Sequence, residues 1–235
     1  MISSRYEYIK KNISNFLSLK FIAVSKYVKS EAINYIKEHP IKVIYNGVDT
    51  KKFSKKNKKE SNSITRIITL CALEERKGIQ YVIFALKELN DPSIRYDIYG
   101  DGFYKEKLKD IIKITNQEKS IKIHPSISNP EKYLNDSDIY MLISRGEAFP
   151  LGPLEAMSCG LPVIVSNYKP YNEFVNDNVG LRVDSNSISD IANAIKYLSN
   201  NKIREKFGLN GRQTIEKNFD WSRVGYEYYK TIFNG

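Results

Sequence analysis

A chain of 235 residues, 41% hydrophobic and 27% charged, has material for one large globular domain or one and a half small ones, and its composition is not that of a disordered or fibrous protein. Two cysteines and two histidines, none at zinc-ligand spacing, argue against a structural metal and for buried free thiols in a reducing compartment. The net charge of +10 admits nucleic acid, an anionic membrane surface or anionic small substrates as partners. No apolar run approaches the roughly 18–20 residues that cross a bilayer, and the opening MISSRYEYIKK holds no apolar stretch of a secretory signal.

In chain order, residues 1–60 read as a helix (5–18), a strand (21–24), a helix (28–38) and a strand (42–45), then the turn NGVD (46–49) and the run KKFSKKNKKE (51–60). Two strands and two helices are too few for an independent core. The segment therefore reads as the closing edge of another α/β domain, with its apolar residues lacking some of their partners. Self-association or pairing with a partner chain is expected to cover them. The run holds six lysines within nine positions and reads as a solvated linker, with peripheral contact to an anionic membrane as the second reading.

From residue 65 short β-branched runs alternate with amphipathic stretches. Strands are expected at 66–71, 95–100, 121–124, 138–143, 162–166 and 180–183, with helices at 78–89, 104–115, 130–136 and 152–160 and two or three more in the tail. Strands apolar throughout and alternating with helices predict a parallel sheet covered on both faces. The fold class is thus α/β, a doubly wound parallel sheet preceded by a partial α/β segment. The expected division is 1–60, 61–218 and a C-terminal helix within 219–235.

Such sheets bind ligands beyond the carboxyl ends of their strands. The stretch EAFPLGPLEAMSCGLPVIVS (147–166) puts Glu147 in the loop after one strand and Glu155 in the first turn of the next helix. Free amides near Gly152, Leu154 and Glu155 suit a phosphate. Carboxylates beside a phosphate cradle suit a ligand with both phosphates and diols, as in a nucleotide sugar. Arg76 and Lys77, after the first strand of the sheet, border the same rim and supply the cationic partner.

These residues also carry a family resemblance. SRGEAFPLGPLEAMSCGLPVIVS (144–166) is similar to the Ser-x-x-Glu-x-Phe-Gly-x-x-x-x-Glu-Ala-Met-Ala-x-Gly-x-Pro-Val block of glycosyltransferase family 4, retaining enzymes of GT-B architecture. VIYNGVDTKKF (43–53), IAVSKYVKS (22–30), RKGIQYVIFAL (76–86), YGDGFYKEKL (99–108), VGLRVD (179–184) and FDWSRVGYEYYKTIF (219–233) resemble its other landmarks in order. The likeness runs from about residue 15 to the end and resembles the nucleotide-sugar-binding, Rossmann-like half with only the end of the acceptor-side domain.

The resemblance implies a hexosyltransferase that takes a UDP- or GDP-sugar, uses no metal or other cofactor, and passes the sugar to a glycan, lipid or protein acceptor. Glu147 would be the catalytic residue, touching the donor sugar near its anomeric carbon. Glu155 would hold the ribose hydroxyls. Lys77, assisted by Arg76, would neutralise the diphosphate, and the backbone from Phe149 through Leu151 and Gly152 to Leu154 would cradle sugar and phosphate. A cytoplasmic protein, in peripheral contact with the membrane, is the implied setting. Departures from the pattern are Cys71 and Ala72 where the family often has an arginine, Pro150 where glycine is usual, and the absence of a glycine pair before Glu173. The alternatives are a donor-binding scaffold subunit without turnover and a basic nucleic-acid binder; the latter lacks any recognisable module, so nucleic acid is not expected.

Overall fold

The computed structural model describes residues 21–36, 39–56 and 64–233. The helix expected at 5–18 and the lysines at 58 and 59 lie outside them. The chain begins with β1 (Phe21–Ala23), α1 (Lys26–Ala32) and β2 (Ile41–Val43). Strand β3 (Thr65–Leu70), α2 (Ile79–Leu89), β4 (Ile94–Tyr99), α3 (Lys105–Ile114), β5 (Ile121–His124), α4 (Pro130–Asn135) and β6 (Ile139–Leu142) follow. Then come α5 (Leu151–Ser158), β7 (Val163–Ser166), β8 (Gly180–Val183), α6 (Ile188–Leu198), α7 (Asn201–Asn218) and α8 (Trp221–Phe233), with 3-10 turns at Glu75–Lys77 and Lys169–Glu173. Helix α1 is shorter than expected and starts earlier, because buried Ser25 caps it by accepting from the amide of Val28.

Strands β3 to β8 form one six-stranded parallel sheet in the order β5-β4-β3-β6-β7-β8. This is the Rossmann-like, doubly wound arrangement expected from the sequence. The chain builds outward from β3 in one direction, then crosses to β6 and builds outward in the other. The junction of β3 and β6, where Ile67 pairs with Ile139, is the topological switch point, and connections leaving it on opposite faces open a crevice there.

Strand periodicity divides the core in two. Ile67 faces α2, α3 and α6 together with Val82, Leu108 and Ile195. Its neighbour Ile68 faces the other way, among Leu134, Leu154, Met157 and Phe219. Strands β6 and β7 are buried at every position, which explains why their sequences are apolar up to Ser166 at the end of β7.

The first two strands form a separate two-stranded parallel sheet, with Phe21 opposite Ile41. The segment that follows does not stay apart: Val48 and Phe53 belong to the second core layer. Arg212 of α7 donates to the carbonyls of Phe53 at 2.6 Å and Thr50 at 3.1 Å, and also to Ser158. Helix α8 returns toward the beginning of the chain, where Trp221 donates its amide to Val48 at 3.0 Å and Lys42 Nζ donates to Thr231 Oγ1 at 2.6 Å.

Gly78 holds the switch point together. It turns the chain into α2 at φ 71°, and a Cβ there would lie 2.1 Å from the carbonyl oxygen of Ile143, just past β6. Left-handed backbone costs an L-residue about 1–2 kcal/mol, and forcing an atom into a packed contact costs about 1–3 more. Gly78→Ala is therefore expected to destabilise the fold by about 2–5 kcal/mol, read as a lower urea midpoint at unchanged slope. A midpoint equal to the parent's would refute the close approach.

Candidate functional site

The loops leaving β3 and β6 meet above the switch point. Arg145 donates its amide to the carbonyl of Arg76 at 2.8 Å, tying one loop to the other. Lys77 ends the 3-10 turn of the first loop, and its Nζ lies 2.6 Å from Glu147 Oε1, each side chain only 12% exposed. Arg76 Nη1 stands 3.6 Å from the same oxygen, while its Nε bonds Glu74 Oε2 at 2.6 Å and its Nη1 also donates to Gly146 O. Arg76, Lys77 and Glu147, picked out from the sequence at a separation of about seventy residues, are thus one cluster. A largely buried ion pair is costly to desolvate and adds little net stability, so its value lies in a preset charge geometry at the rim.

Helix α5 begins at Leu151 with Pro150 as its N-cap residue. Of the amides a helix start leaves free, those of residues 150 and 153 do not exist because both are proline. Only Leu151 and Gly152 can offer N–H groups there. Leu154 lies beyond the free positions and its side chain is fully buried, so its expected part in the cradle is corrected to a core role. Glu155 sits in the second turn rather than the first; no acidic residue occupies the first turn. Leu151 is exposed. The Phe149 side chain is buried against Tyr45 and Phe174, with ring centroids 5.1 and 5.2 Å away. Only its backbone faces the loop's polar contacts, through a carbonyl that accepts from Asn46.

Beside this rim lies an open cleft of about 430 Å³, between the ends of β3 and β4 and the starts of α4 and α5. Glu155, Gly152, Cys71, Tyr99, Asp101 and Ser126 are on its walls. Gly152 is needed for packing: a Cβ would come 2.2 Å from the Tyr140 hydroxyl, which donates to the carbonyl of Leu70 at 3.2 Å. Burial raises the Glu155 carboxyl above its ordinary value; Lys52 opposes that and Glu131 adds to it. Burial also pushes the Cys71 thiol up to about 12, so it lines the cleft as a neutral group and not as a nucleophile. Tyr99, stacked on His124 at 4.4 Å, is pushed up to about 12 by burial and the nearby Asp97.

Tyr99, Asp101, Ser126 and Lys52 were not singled out from sequence. The first three lie at or just past the carboxyl ends of β4 and β5, so the rim rule that found Glu147 would have found them too. Lys52 was hidden in a lysine-rich run; in the fold its Nζ stands 3.9 Å from Glu131. Among the described residues, no group of three or more His, Cys, Asp or Glu side chains could hold a metal ion, and no helix is long and apolar enough to cross a membrane.

Sheet order, switch-point charges and neighbouring cleft define a doubly wound α/β protein with a charged candidate site at its rim. Residues 49–214 match the family model described as glycosyl transferases group 1, and the chain belongs to that family. It is 30% identical over 233 residues to an uncharacterized glycosyltransferase of Methanocaldococcus jannaschii, covering 89% of this chain and 57% of the relative. It is also 30% identical to the O-antigen biosynthesis glycosyltransferase WclY of Escherichia coli, covering 82% of this chain and 55% of the relative. The chain thus spans a little over half the length of these relatives. The crystal structure of Anabaena HepE in complex with UDP and glucose superposes with a TM-score of 0.84 at 20% identity, over 96% of this chain and 66% of that one. That likeness establishes a shared fold.

The raised Glu155 carboxyl has a sign that can be tested. The folded chain holds this proton more tightly than the unfolded chain, so its contribution to stability falls as pH rises from the ordinary carboxyl value of 4.5 through the raised value in the fold. Above that window the full cost of burying the charge is present. Glu155→Gln should therefore raise the melting temperature at pH 7, with the gain vanishing below about pH 4. A variant equally or less stable at neutral pH would show that the carboxylate is satisfied by the protein itself.

Proposed function

We propose that this chain is the donor-binding part of a retaining glycosyltransferase of family 4, with GT-B architecture, which takes a UDP- or GDP-sugar and transfers the hexose to an acceptor hydroxyl. The observation that carries the reading is the Lys77–Glu147 pair, set above the switch point and beside the cleft that holds Glu155. A nucleoside fits the cleft with its ribose diol donating to Glu155. The diphosphate then lies across the rim, toward Lys77, Arg76 and the amides of Leu151 and Gly152. The sugar comes to Glu147, which accepts from its hydroxyls.

In this reading Lys77 moves its charge from Glu147 to the phosphate, freeing the carboxylate for the sugar. As the bond from anomeric carbon to phosphate oxygen breaks, negative charge grows on the departing diphosphate, where the cations already stand. The acceptor hydroxyl attacks from the same face, and its proton passes to that phosphate oxygen. Positioning and leaving-group electrostatics supply the rate enhancement, and the proposed chemistry enlists no metal or further cofactor. We assign the acceptor, a glycan, lipid or protein, to the α/β unit that β1 and β2 help to complete. The setting we propose is the cytoplasm, with exposed Lys51, Lys52, Lys55 and Lys56 giving peripheral contact with anionic membrane.

Calorimetry with UDP, GDP and their sugars tests this. Lys77→Ala should weaken nucleotide diphosphate binding by about 1.5–3 kcal/mol, the scale of a charge-assisted hydrogen bond, and leave the nucleoside nearly unaffected. Glu155→Ala should weaken nucleotide and nucleotide sugar alike, whereas Glu147→Ala should spoil only the sugar's contribution. Equal affinities in all three variants would remove the site from this place. Donor binding without transfer to any acceptor would favour the scaffold reading.

A further inference from the structure

The loop that carries Glu147 runs from β6 to α5 outside the sheet ladder, so its carbonyls need other donors. Two come from the beginning of the chain. Ser25 Oγ donates to the carbonyl of Ala148 at 2.8 Å, and Asn46 Nδ2 donates to that of Phe149 at 3.2 Å. These carbonyls belong to the two residues that follow Glu147. The Tyr45 ring stacks on Phe149 at 5.1 Å and 27°.

The donors are themselves held. Ser25 is fully buried and also caps α1 through the Val28 amide at 3.0 Å. Glu173, at the end of the second 3-10 turn, accepts the amides of Lys26 and Tyr27 at 2.8 and 3.0 Å, which fastens α1 to the connection between β7 and β8 of the large sheet. Glu155 is not held in this way. It stands on α5 itself, in a cleft whose walls come from β3, β4, α4 and α5.

We infer that Ser25 and Asn46 are positioning residues for Glu147, so that residues 25–46 govern recognition of the donor's sugar while leaving recognition of its nucleotide to the large sheet. The inference rests on the functional reading above. It adds that the segment reading as the edge of an acceptor-side unit also sets the donor-sugar pocket. Motion of that segment displaces the Glu147 loop and spares Glu155.

The test uses the full chain with Asn46→Asp, which keeps the shape but removes the donor, Ser25→Ala, and Ser25→Thr as the conservative rescue. Affinities for UDP and for UDP-glucose or UDP-N-acetylglucosamine are measured by calorimetry. Amide exchange across residues 146–149 is followed in the same proteins without nucleotide. Asn46→Asp and Ser25→Ala should bind UDP within twofold of the parent and the UDP-sugar about 3- to 10-fold more weakly, the loss of one hydrogen bond, with faster exchange in the loop. Ser25→Thr should restore both. Equal losses for UDP and UDP-sugar would mean a merely structural role, and unchanged affinities with unchanged exchange would overturn the inference. If the parent binds UDP and UDP-sugars equally, the assignment of Glu147 to the sugar falls. The exchange data then decide alone: unaltered loop protection in both variants overturns the positioning role.

Discussion

Everything at this site depends on how closely two loops approach above the junction of β3 and β6. The approach is set by a missing side chain: Gly78 lies where any Cβ would enter the carbonyl oxygen of Ile143. Because that contact is allowed, the 3-10 turn folds against the second loop, the Arg76 carbonyl accepts the Arg145 amide, and Lys77 reaches Glu147. With the loops farther apart, two largely buried charges would each have to find water or another partner, at a cost of several kcal/mol per ion.

The two carboxylates differ for reasons of environment. Glu147 stands against a cation and is anchored through its loop by residues far away in the chain. Glu155 sits in an open cleft, where burial raises its carboxyl and Lys52 only partly opposes that. The first suits recognition of a group that must displace a cation, the second a ligand that brings its own hydrogen-bond donors. The glutamates stand only eight positions apart, yet a helix start and two prolines separate their surroundings.

Much of this was legible in the sequence. The six strands were read because β-branched runs alternated with helical spacing, and parallel pairing follows from strands such as β6 and β7 that are almost wholly apolar and buried at every position. Arg76, Lys77, Glu147 and Glu155 were found because strand ends locate the rim. What escaped was set by long-range contact. The start of α5 was read one residue late, because Leu151 follows a proline that already caps the helix, and Glu155 moved from the first turn to the second. Leu154 was read as a cradle residue, since periodicity does not tell a buried helix position from a free amide. Lys52 was lost in a run of like residues. The hydrogen bonds of Ser25 and Asn46 cross more than a hundred positions and leave no local pattern.

The cleft's two walls belong to different halves of the sheet. Strands β3, β4 and β5 form one half and β6, β7 and β8 the other; within the sheet they are joined where β3 pairs with β6, and α2 packs on α6 across the same line. A molecule seated between the loops touches both halves, and by mass action it favours their union over either half's internal stability. In the proposed reading the ligand is therefore a fastener across that seam. Occupancy would be felt most strongly in how often the two halves part, and least in the outer strands β5 and β8, which lie farthest from the seam.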